Sequence, residues 1–253
     1  MTVLSLPPQL PLTWGSALLI NGALIAAVQR LPLLTPAGWV HAGILGTVLW
    51  GTLGPRGWLA VVAYLLLGSL VTRLGLRRKQ QADLAERRGG RRGPENVWGS
   101  AATGAVLAVL VVLLPAAWQP PLLVAFAASF AAKLADTWGS ELGKLWGRHT
   151  LLITTLRPVP AGTEGAISLE GTAASLAGGA LMAGVMLGLG LISGWRDWCL
   201  VSLVALVATL LESWIGATLQ PRFHWLTNER VNAIQTTLAA LLALLLWSVL
   251  AWR

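Results

Sequence analysis

The amino-acid sequence is dominated by uninterrupted apolar runs of about twenty residues, and this feature limits the folds open to the chain. A helix of that length spans the ~30 Å hydrocarbon core of a bilayer, where backbone polar groups must be bonded within the helix. Only 11% of the 253 residues are charged. The sequence therefore predicts an all-α fold, a polytopic transmembrane helix bundle.

The runs predict about eight membrane spans, with six to eight as the range. We divide the chain into an N-terminal three-span segment, residues 1–74, and a core, residues 75–253. Three polar segments, residues 75–96, 144–171 and 219–230, lie between the predicted spans. The first residues lack a basic n-region, so we expect no cleaved signal peptide. The predicted spans are 13–30, 37–53, 57–74, 97–118, 122–143, 172–193, 198–218 and 231–252.

The charged residues are distributed unevenly between the two sides of the predicted bundle. If the basic linker 75–96 is cytoplasmic, fourteen of the 18 Lys and Arg residues lie on the cytoplasmic side. This asymmetry follows the positive-inside rule, so the net charge of +8 reflects topology, and we expect no nucleic-acid partner. Nine of the 10 acidic residues lie on the same side or in the adjoining half of a span. We therefore expect an integral membrane protein whose active side is cytoplasmic.

The segment K-L-A-D-T-W-G-S-E-L-G-K, residues 133–144, places charges at the end of an apolar run. On a helix, Lys133 and Asp136 share one face, and Glu141 flanks that face. An ionisable residue at the centre of a span costs roughly 2.5–3.5 kcal/mol, so such residues face a partner or an interior cavity. A Lys133–Asp136 ion pair that joins helices is one interpretation. The two carboxylates also suit Mg²⁺, which takes oxygen ligands and bridges carboxylates to substrate phosphates.

The loop T-T-L-R-P-V-P-A-G-T-E-G-A-I-S-L-E-G-T, residues 154–172, combines glycines, hydroxyls and carboxylates. Backbone N–H groups of a glycine-rich segment that leads into a helix can hold a phosphate. The loop does not match the pattern G-x-x-x-x-G-K-[ST], and a simple turn between spans is the alternative interpretation. The residues predicted to bind a phosphate here are Gly162, Thr163, Glu164, Gly165 and Ser168.

The linker motif R-R-G-G-R-R-G-P-E-N-V-W, residues 87–98, holds four arginines within six residues. Arginine presents a two-pronged donor to phosphate oxygens, which fits a polyanionic substrate near the membrane. Attraction to anionic lipids, about 1 kcal/mol per basic residue, is the alternative. We predict that phosphates are bound by Arg88, Arg91, Arg92, Asn96 and Lys144.

Further polar residues lie in the last two predicted spans. Glu212 is isolated in an apolar segment and needs a partner, so we predict a metal site of Asp136, Glu141 and Glu212. Asn228 and Asn232 share one helical face and are predicted to contact a phosphate; hydrogen bonds between helices are the alternative. The three histidines are not at ligand spacing and Cys199 is the single cysteine, so a zinc site is disfavoured.

Five motifs occur in an order that resembles one known family. They are R-R-G-P-E-N-V-W-G-S, A-S-F-A-A-K-L-A-D-T-W-G-S-E-L-G-K, the loop described above, E-S-W-I-G-A-T-L-Q and W-L-T-N-E-R-V-N. From about Leu76 to Leu241 the chain resembles the integral-membrane family that contains plant and cyanobacterial phytyl-phosphate kinase and animal transmembrane protein 19. The loop G-T-E-G-A-I-S-L-E-G-T looks like the plant and cyanobacterial branch.

The resemblance implies an enzyme that phosphorylates phytyl monophosphate to phytyl diphosphate for tocopherol and phylloquinone synthesis. It implies residues 75–253 as the catalytic core, a nucleoside triphosphate such as CTP as donor, and Mg²⁺ as cofactor. The catalytic residues would be Asp136, Lys133 and Glu141, with a prenyl phosphate lipid, a nucleotide and the bilayer as partners. The expected location is a cyanobacterial-type cell or thylakoid membrane, and the oligomeric state stays open.

Four other functions remain open from the residues themselves. A kinase of phytol or another polyprenol would need a carboxylate base for the free alcohol, and a lipid-phosphate cytidylyltransferase would use similar groups. An ion-coupled transporter would use Lys133, Asp136 and Glu212 as a relay, although the cytoplasmic bias of the acidic residues argues against groups at several depths. A structural helper protein is the remaining class.

Overall fold

The computed structural model describes residues 10–251, so the signal-peptide prediction and Arg253 lie outside the described residues. Within this range the chain is a helix bundle with one two-stranded antiparallel hairpin. The helices are α1 Leu10–Val28, α2 Pro36–Arg73, α3 Leu76–Gln81, α4 Pro94–Leu113, α5 Gln119–Trp146, α6 Leu169–Gly188, α7 Gly194–Thr218 and α8 Asn228–Ala251, and the strands are β1 Leu151–Leu152 and β2 Ala166–Ile167.

Six helices in the described range, α2 and α4 to α8, are long and apolar enough to cross a membrane, and α1 is a shorter apolar helix. The polytopic helix bundle predicted from the sequence is therefore confirmed.

The helix ends differ from the predicted span boundaries by a few residues. The predicted span 97–118 ends at Leu113, because Pro115 follows and the residue before a proline avoids the helical conformation.

Helix α2 has 38 residues, more than one membrane crossing needs, and it is broken at Gly54. Gly54 has φ 68° and ψ −161°, values that favour glycine, and Pro55 follows it. The rings of Trp50 and Trp58 lie 5.5 Å apart, whereas eight residues of straight helix rise ~12 Å. Trp58 also donates a hydrogen bond of 2.7 Å to Asn21 of α1. The two halves of α2 therefore fold back on each other, in agreement with the separately predicted spans 37–53 and 57–74.

Helix α5 lies at the centre of the bundle and packs against α2, α4, α6, α7 and α8. Its residues 121–135 are buried without interruption. Six of these residues are fully buried alanines, and small side chains of this kind let neighbouring helices approach closely. The central position of α5 explains how its polar end, residues 133–144, meets side chains from several other helices.

The glycine loop is fixed to the bundle by close backbone packing. Strand β1 precedes the loop and pairs with β2 inside it, and Ile153 donates a backbone hydrogen bond of 3.0 Å to Gly165. A Cβ atom on Gly165 would lie 2.4 Å from the Cβ of Ala217 on α7. The φ of Gly165 is +76°, which also favours glycine. The loop is thus held against α7 at a point where no side chain fits.

We expect Gly165→Ala to destabilise the protein more than Gly89→Ala. Both glycines have positive φ, 76° and 63°, so both variants strain the backbone, but a Cβ on Gly89 meets nothing within 4 Å. Strain of this kind costs about 1–3 kcal/mol, and the clash with Ala217 adds to it only at Gly165. Thermal melting of the two variants in detergent measures the difference. Equal melting temperatures would contradict the packing of this loop on α7.

Candidate functional site

One cavity of about 830 Å³ opens between the linker, the glycine loop and the ends of α2 and α4 to α8. Its lining is mostly polar, which is unusual for a bundle of apolar helices and indicates a site for a charged ligand. The structure brings every residue predicted for the site to this cavity: Arg88, Arg91, Arg92, Asn96, Lys133, Asp136, Glu141, Lys144, Gly162, Thr163, Glu164, Gly165, Ser168, Glu212, Asn228 and Asn232. The roles assigned to them remain predictions.

Lys133 and Asp136 of α5 form an ion pair in the deep part of the cavity. Lys133 also donates a hydrogen bond of 3.0 Å to Asn232 of α8. The side chains of Lys133 and Asp136 are 8% and 16% exposed, so the Asp136 carboxylate is the more accessible of the two. The ion pair expected from the sequence is present, but it lies within α5; the hydrogen bond from Lys133 to Asn232 is the contact that joins α5 to α8. Asp136 lines the cavity, so its carboxylate stays open to a ligand.

A buried polar cluster lies beneath this pair. Gln235 of α8 donates hydrogen bonds of 3.1 Å to the Ala132 carbonyl and 3.2 Å to Thr209 of α7. Thr209 itself donates to the Ala205 carbonyl at 2.9 Å. These bonds hold α5, α7 and α8 together below Lys133. Both roles considered for the polar residues of α8 therefore occur. Asn232 lines the cavity, where a ligand could contact it, and Gln235 forms hydrogen bonds between helices.

Glu141 lies in a chain of charged residues that the sequence did not reveal. Lys79 of α3 pairs with one Glu141 oxygen, and Lys144 pairs with the other at 3.2 Å. Lys144 also binds Glu86 of the linker at 3.0 Å. Burial alone would raise the pKa of the Glu86 carboxyl, but the charges of Lys144 and Lys133 and the hydrogen bonds to Glu86 together outweigh burial and lower that pKa. The chain Lys79–Glu141–Lys144–Glu86 therefore ties the basic linker to α5.

The linker arginines differ in their partners. Arg88 pairs with Glu95 and contacts the Asn96 side chain at 3.2 Å. Asn96 accepts a hydrogen bond of 3.0 Å from the Gly93 backbone, which caps α4. Arg92 instead donates to the hydroxyl of Tyr64 on α2 at 2.7 Å. Within residues 10–251 neither Arg91 nor Arg92 pairs with a carboxylate, so among the three linker arginines described as lining the cavity these two have charge to offer a ligand.

The glycine loop contributes the Glu164 carboxylate and the N-terminus of α6 to the cavity lining. Ser168 accepts a hydrogen bond of 3.0 Å from the Gly171 backbone, so its hydroxyl oxygen caps α6. The Thr163 hydroxyl donates to the Pro160 carbonyl at 2.7 Å, which shapes the turn. Burial raises the pKa of the Glu164 carboxyl above its usual range, and the nearby charge of Asp136 raises it further. Glu164 therefore takes up a proton at higher pH than an ordinary glutamate.

The carboxylates around Asp136 have the donor chemistry that a hard cation requires. Glu164 and Glu212 have no hydrogen bond or ion pair within the described part of the chain, and both line the cavity with Asp136. Among these described residues, His, Cys, Asp and Glu do not form a group of three close enough to hold a metal ion. Mg²⁺ commonly takes one or two carboxylates and completes its shell with substrate phosphates and water. The lining thus fits a magnesium ion that arrives with a nucleotide, whereas both oxygens of Glu141 are already bonded to lysines.

Comparison with known proteins places these residues in a family. Residues 19–240 match the family model described as integral membrane protein DUF92. An uncharacterized membrane protein of Synechocystis is 51% identical over 91% of this chain and 90% of its own length. Protein VTE6, chloroplastic, of Arabidopsis thaliana is 40% identical over 92% of this chain and 72% of its own length. No solved structure matches. The chain belongs to the DUF92 family of integral membrane proteins, and the family recognised from its five sequence motifs is confirmed.

Proposed function

We propose that this protein is a membrane-embedded prenyl-phosphate kinase that transfers a phosphoryl group from a nucleoside triphosphate to phytyl monophosphate. The product would be phytyl diphosphate, used for tocopherol and phylloquinone synthesis, and the donor would be CTP. The observation that carries the proposal is the polar cavity that holds Asp136, Lys133 and the linker arginines among membrane-spanning helices. Similarity to the chloroplastic protein of Arabidopsis over 92% of the chain supports it.

The cavity supplies what phosphoryl transfer mainly requires, which is positioning and stabilisation of charge. Arg91 and Arg92 offer guanidinium groups that no carboxylate of the described residues occupies. Lys133 and Lys144 add two ammonium groups from α5. A phosphate monoester is already anionic near neutral pH, so the acceptor needs no general base. The cationic groups would instead offset repulsion between the acceptor and the triphosphate.

Magnesium, if bound, would bridge the phosphates of the donor and neutralise part of their charge. Asp136 and Glu212 would hold it from α5 and α7, with Glu164 of the glycine loop on the same cavity. Glu141 was predicted from the sequence as a further ligand. Its place between Lys79 and Lys144 supports a second role, which is to fix Lys144 at the mouth of the cavity.

The distribution of charge supports a cavity that opens on the cytoplasmic side of the membrane. The linker and the glycine loop at the mouth of the cavity lie in the segments that the positive-inside rule assigns to the cytoplasm. A soluble nucleotide would enter there, while the prenyl chain of the acceptor would remain in the bilayer. The membrane itself would be a cell or thylakoid membrane of cyanobacterial type.

The test is transfer of label from nucleoside triphosphates to phytyl monophosphate by the purified protein in detergent with Mg²⁺. We expect labelled phytyl diphosphate, with CTP the best donor among the four common nucleotides. Label that appears with phytol and not with phytyl monophosphate would indicate an alcohol kinase. Transfer of a labelled cytidylyl group would indicate a cytidylyltransferase. Proton or sodium flux in vesicles without any transfer would overturn the enzyme assignment.

A further inference from the structure

Tyr64 is the only tyrosine of the sequence, and it lies in an apolar half of α2 that the predicted site did not include. Its side chain is buried, lines the cavity, and accepts a hydrogen bond of 2.7 Å from the Arg92 guanidinium. The guanidinium carbon lies 5.1 Å from the centre of the Tyr64 ring. Stacking and a hydrogen bond therefore act on the same arginine.

Arg92 is held in place from several directions. Its backbone N–H donates to the Leu33 carbonyl at 3.1 Å, and its carbonyl accepts from the Thr35 N–H at 3.0 Å. Gly68 of α2 leaves room for the guanidinium, since a Cβ there would lie 2.5 Å from Nη2. A cation fixed in this way loses little rotational freedom when it binds an anion.

The Tyr64 hydroxyl still has a proton to donate. Its oxygen accepts from Arg92, and no hydrogen bond given by the hydroxyl is present within residues 10–251. The Tyr64 ring packs 5.7 Å from the ring of Phe130, one helical turn before Lys133 on α5. A hydroxyl donor and a guanidinium thus lie side by side, with Lys133 lining the same cavity. This set of donors suits the several oxygens of a phosphoryl group.

The depth of Tyr64 in the cavity bears on which phosphate can reach it, that of the lipid or that of the nucleotide. Tyr64 lies nine residues before the end of α2 at Arg73, which is ~13 Å along the helix. Arg88 and Glu86, by contrast, are exposed at the mouth of the cavity. A soluble nucleotide reaches the mouth first, whereas a prenyl phosphate is held by its chain at the level of the hydrocarbon. We propose that Tyr64 and Arg92 bind the phosphate of the prenyl acceptor, an assignment that rests on the proposed kinase function.

Equilibrium binding to the full-length protein in lipid nanodiscs tests this without any turnover. The probes are phytyl monophosphate, phytol and CTP, and the variants are Tyr64→Phe, which keeps the ring over which Arg92 stacks, and Arg92→Lys, which keeps the charge. We expect Tyr64→Phe to weaken phytyl monophosphate binding at least about tenfold, the low end of the loss typical of a hydrogen bond to a charged group. Arg92→Lys should weaken it by at least as much. Affinities for phytol and CTP should stay at wild-type values in both variants.

The possible outcomes distinguish failure of the Tyr64–Arg92 subsite from failure of the kinase function. Unchanged phytyl monophosphate affinity in a folded Tyr64→Phe protein would overturn the subsite, and so would an equal loss of CTP affinity. An equal loss of phytol affinity would show that Tyr64 only shapes the cavity. If the wild-type protein transfers no phosphoryl group but binds phytyl monophosphate in a Tyr64-dependent way, the kinase function fails and the subsite stands. Competition of CTP with phytyl monophosphate in the wild-type protein would assign the subsite to the nucleotide.

Discussion

Asp136→Asn is expected to lower the turnover of phytyl monophosphate by on the order of 10²–10³-fold, the loss typical when one group that stabilises transition-state charge is removed. Asparagine keeps the shape of the side chain but removes the negative charge that pairs with Lys133 in a cavity that Glu212 also lines. The proposed magnesium ion would lose its most accessible carboxylate on α5. Turnover at saturating phytyl monophosphate, nucleotide and Mg²⁺ measures the effect.

Asp197→Asn is the matched control for this experiment. Asp197 lies in the first turn of α7, outside the cavity lining, and accepts a hydrogen bond of 2.9 Å from the Ser193 backbone. An asparagine oxygen can accept the same bond, so we expect turnover close to that of the wild type. Loss of the Lys133–Asp136 pair also affects folding, and for this reason the melting temperature is measured for each variant. A folded Asp136→Asn protein with wild-type turnover would contradict the proposed role.

Most of the fold follows from local sequence patterns. Apolar runs of span length are a strong signal of membrane helices. The bilayer sets the length of each helix, and without water the backbone N–H and C=O groups must form hydrogen bonds within the helix. The break between the predicted spans 37–53 and 57–74 was also visible, since Gly54 and Pro55 interrupt the run. Helix ends were less predictable. The predicted span 97–118 is too long, because the apolar character continues past Leu113 whereas Pro115 ends the helix.

The site was predictable where charge stands out against an apolar background. Lys133 and Asp136 are conspicuous for this reason, and the structure brings them to the cavity with the loop and linker residues. Tyr64 and Lys79 were not predicted, because their importance comes from contacts between distant parts of the chain. Tyr64 meets Arg92, 28 residues away, and Lys79 meets Glu141, 62 residues away. In the sequence, Lys79 is one of several basic residues in the linker, and no local pattern indicates that its side chain is buried.

Lys79→Met is expected to destabilise the protein by about 3 kcal/mol, because it removes one partner of a buried ion pair. The side chains of Lys79 and Glu141 are only 1% and 2% exposed. Lys144 still contacts Glu141 in the variant, so the loss falls at the low end of the usual 3–5 kcal/mol for such pairs. A melting temperature lower by roughly 5–10 °C in detergent would correspond to this loss. Arg78→Met, an exposed cation next to Lys79, is the control and should melt like the wild type.

The double variant Lys79→Met/Glu141→Met separates the structural role of Glu141 from a role in catalysis. Replacing both partners of a buried ion pair with apolar groups of similar size is often neutral or stabilising, so we expect most of the lost melting temperature to return. If Glu141 only holds the linker on α5, phosphoryl transfer by the folded double variant should stay close to the wild-type rate, because Lys144 keeps its contact with Glu86. If Glu141 is also a magnesium ligand, as its spacing from Asp136 predicts, the double variant should be stable and inactive. A double variant that melts as low as Lys79→Met would show that the ion pair does not cause the loss.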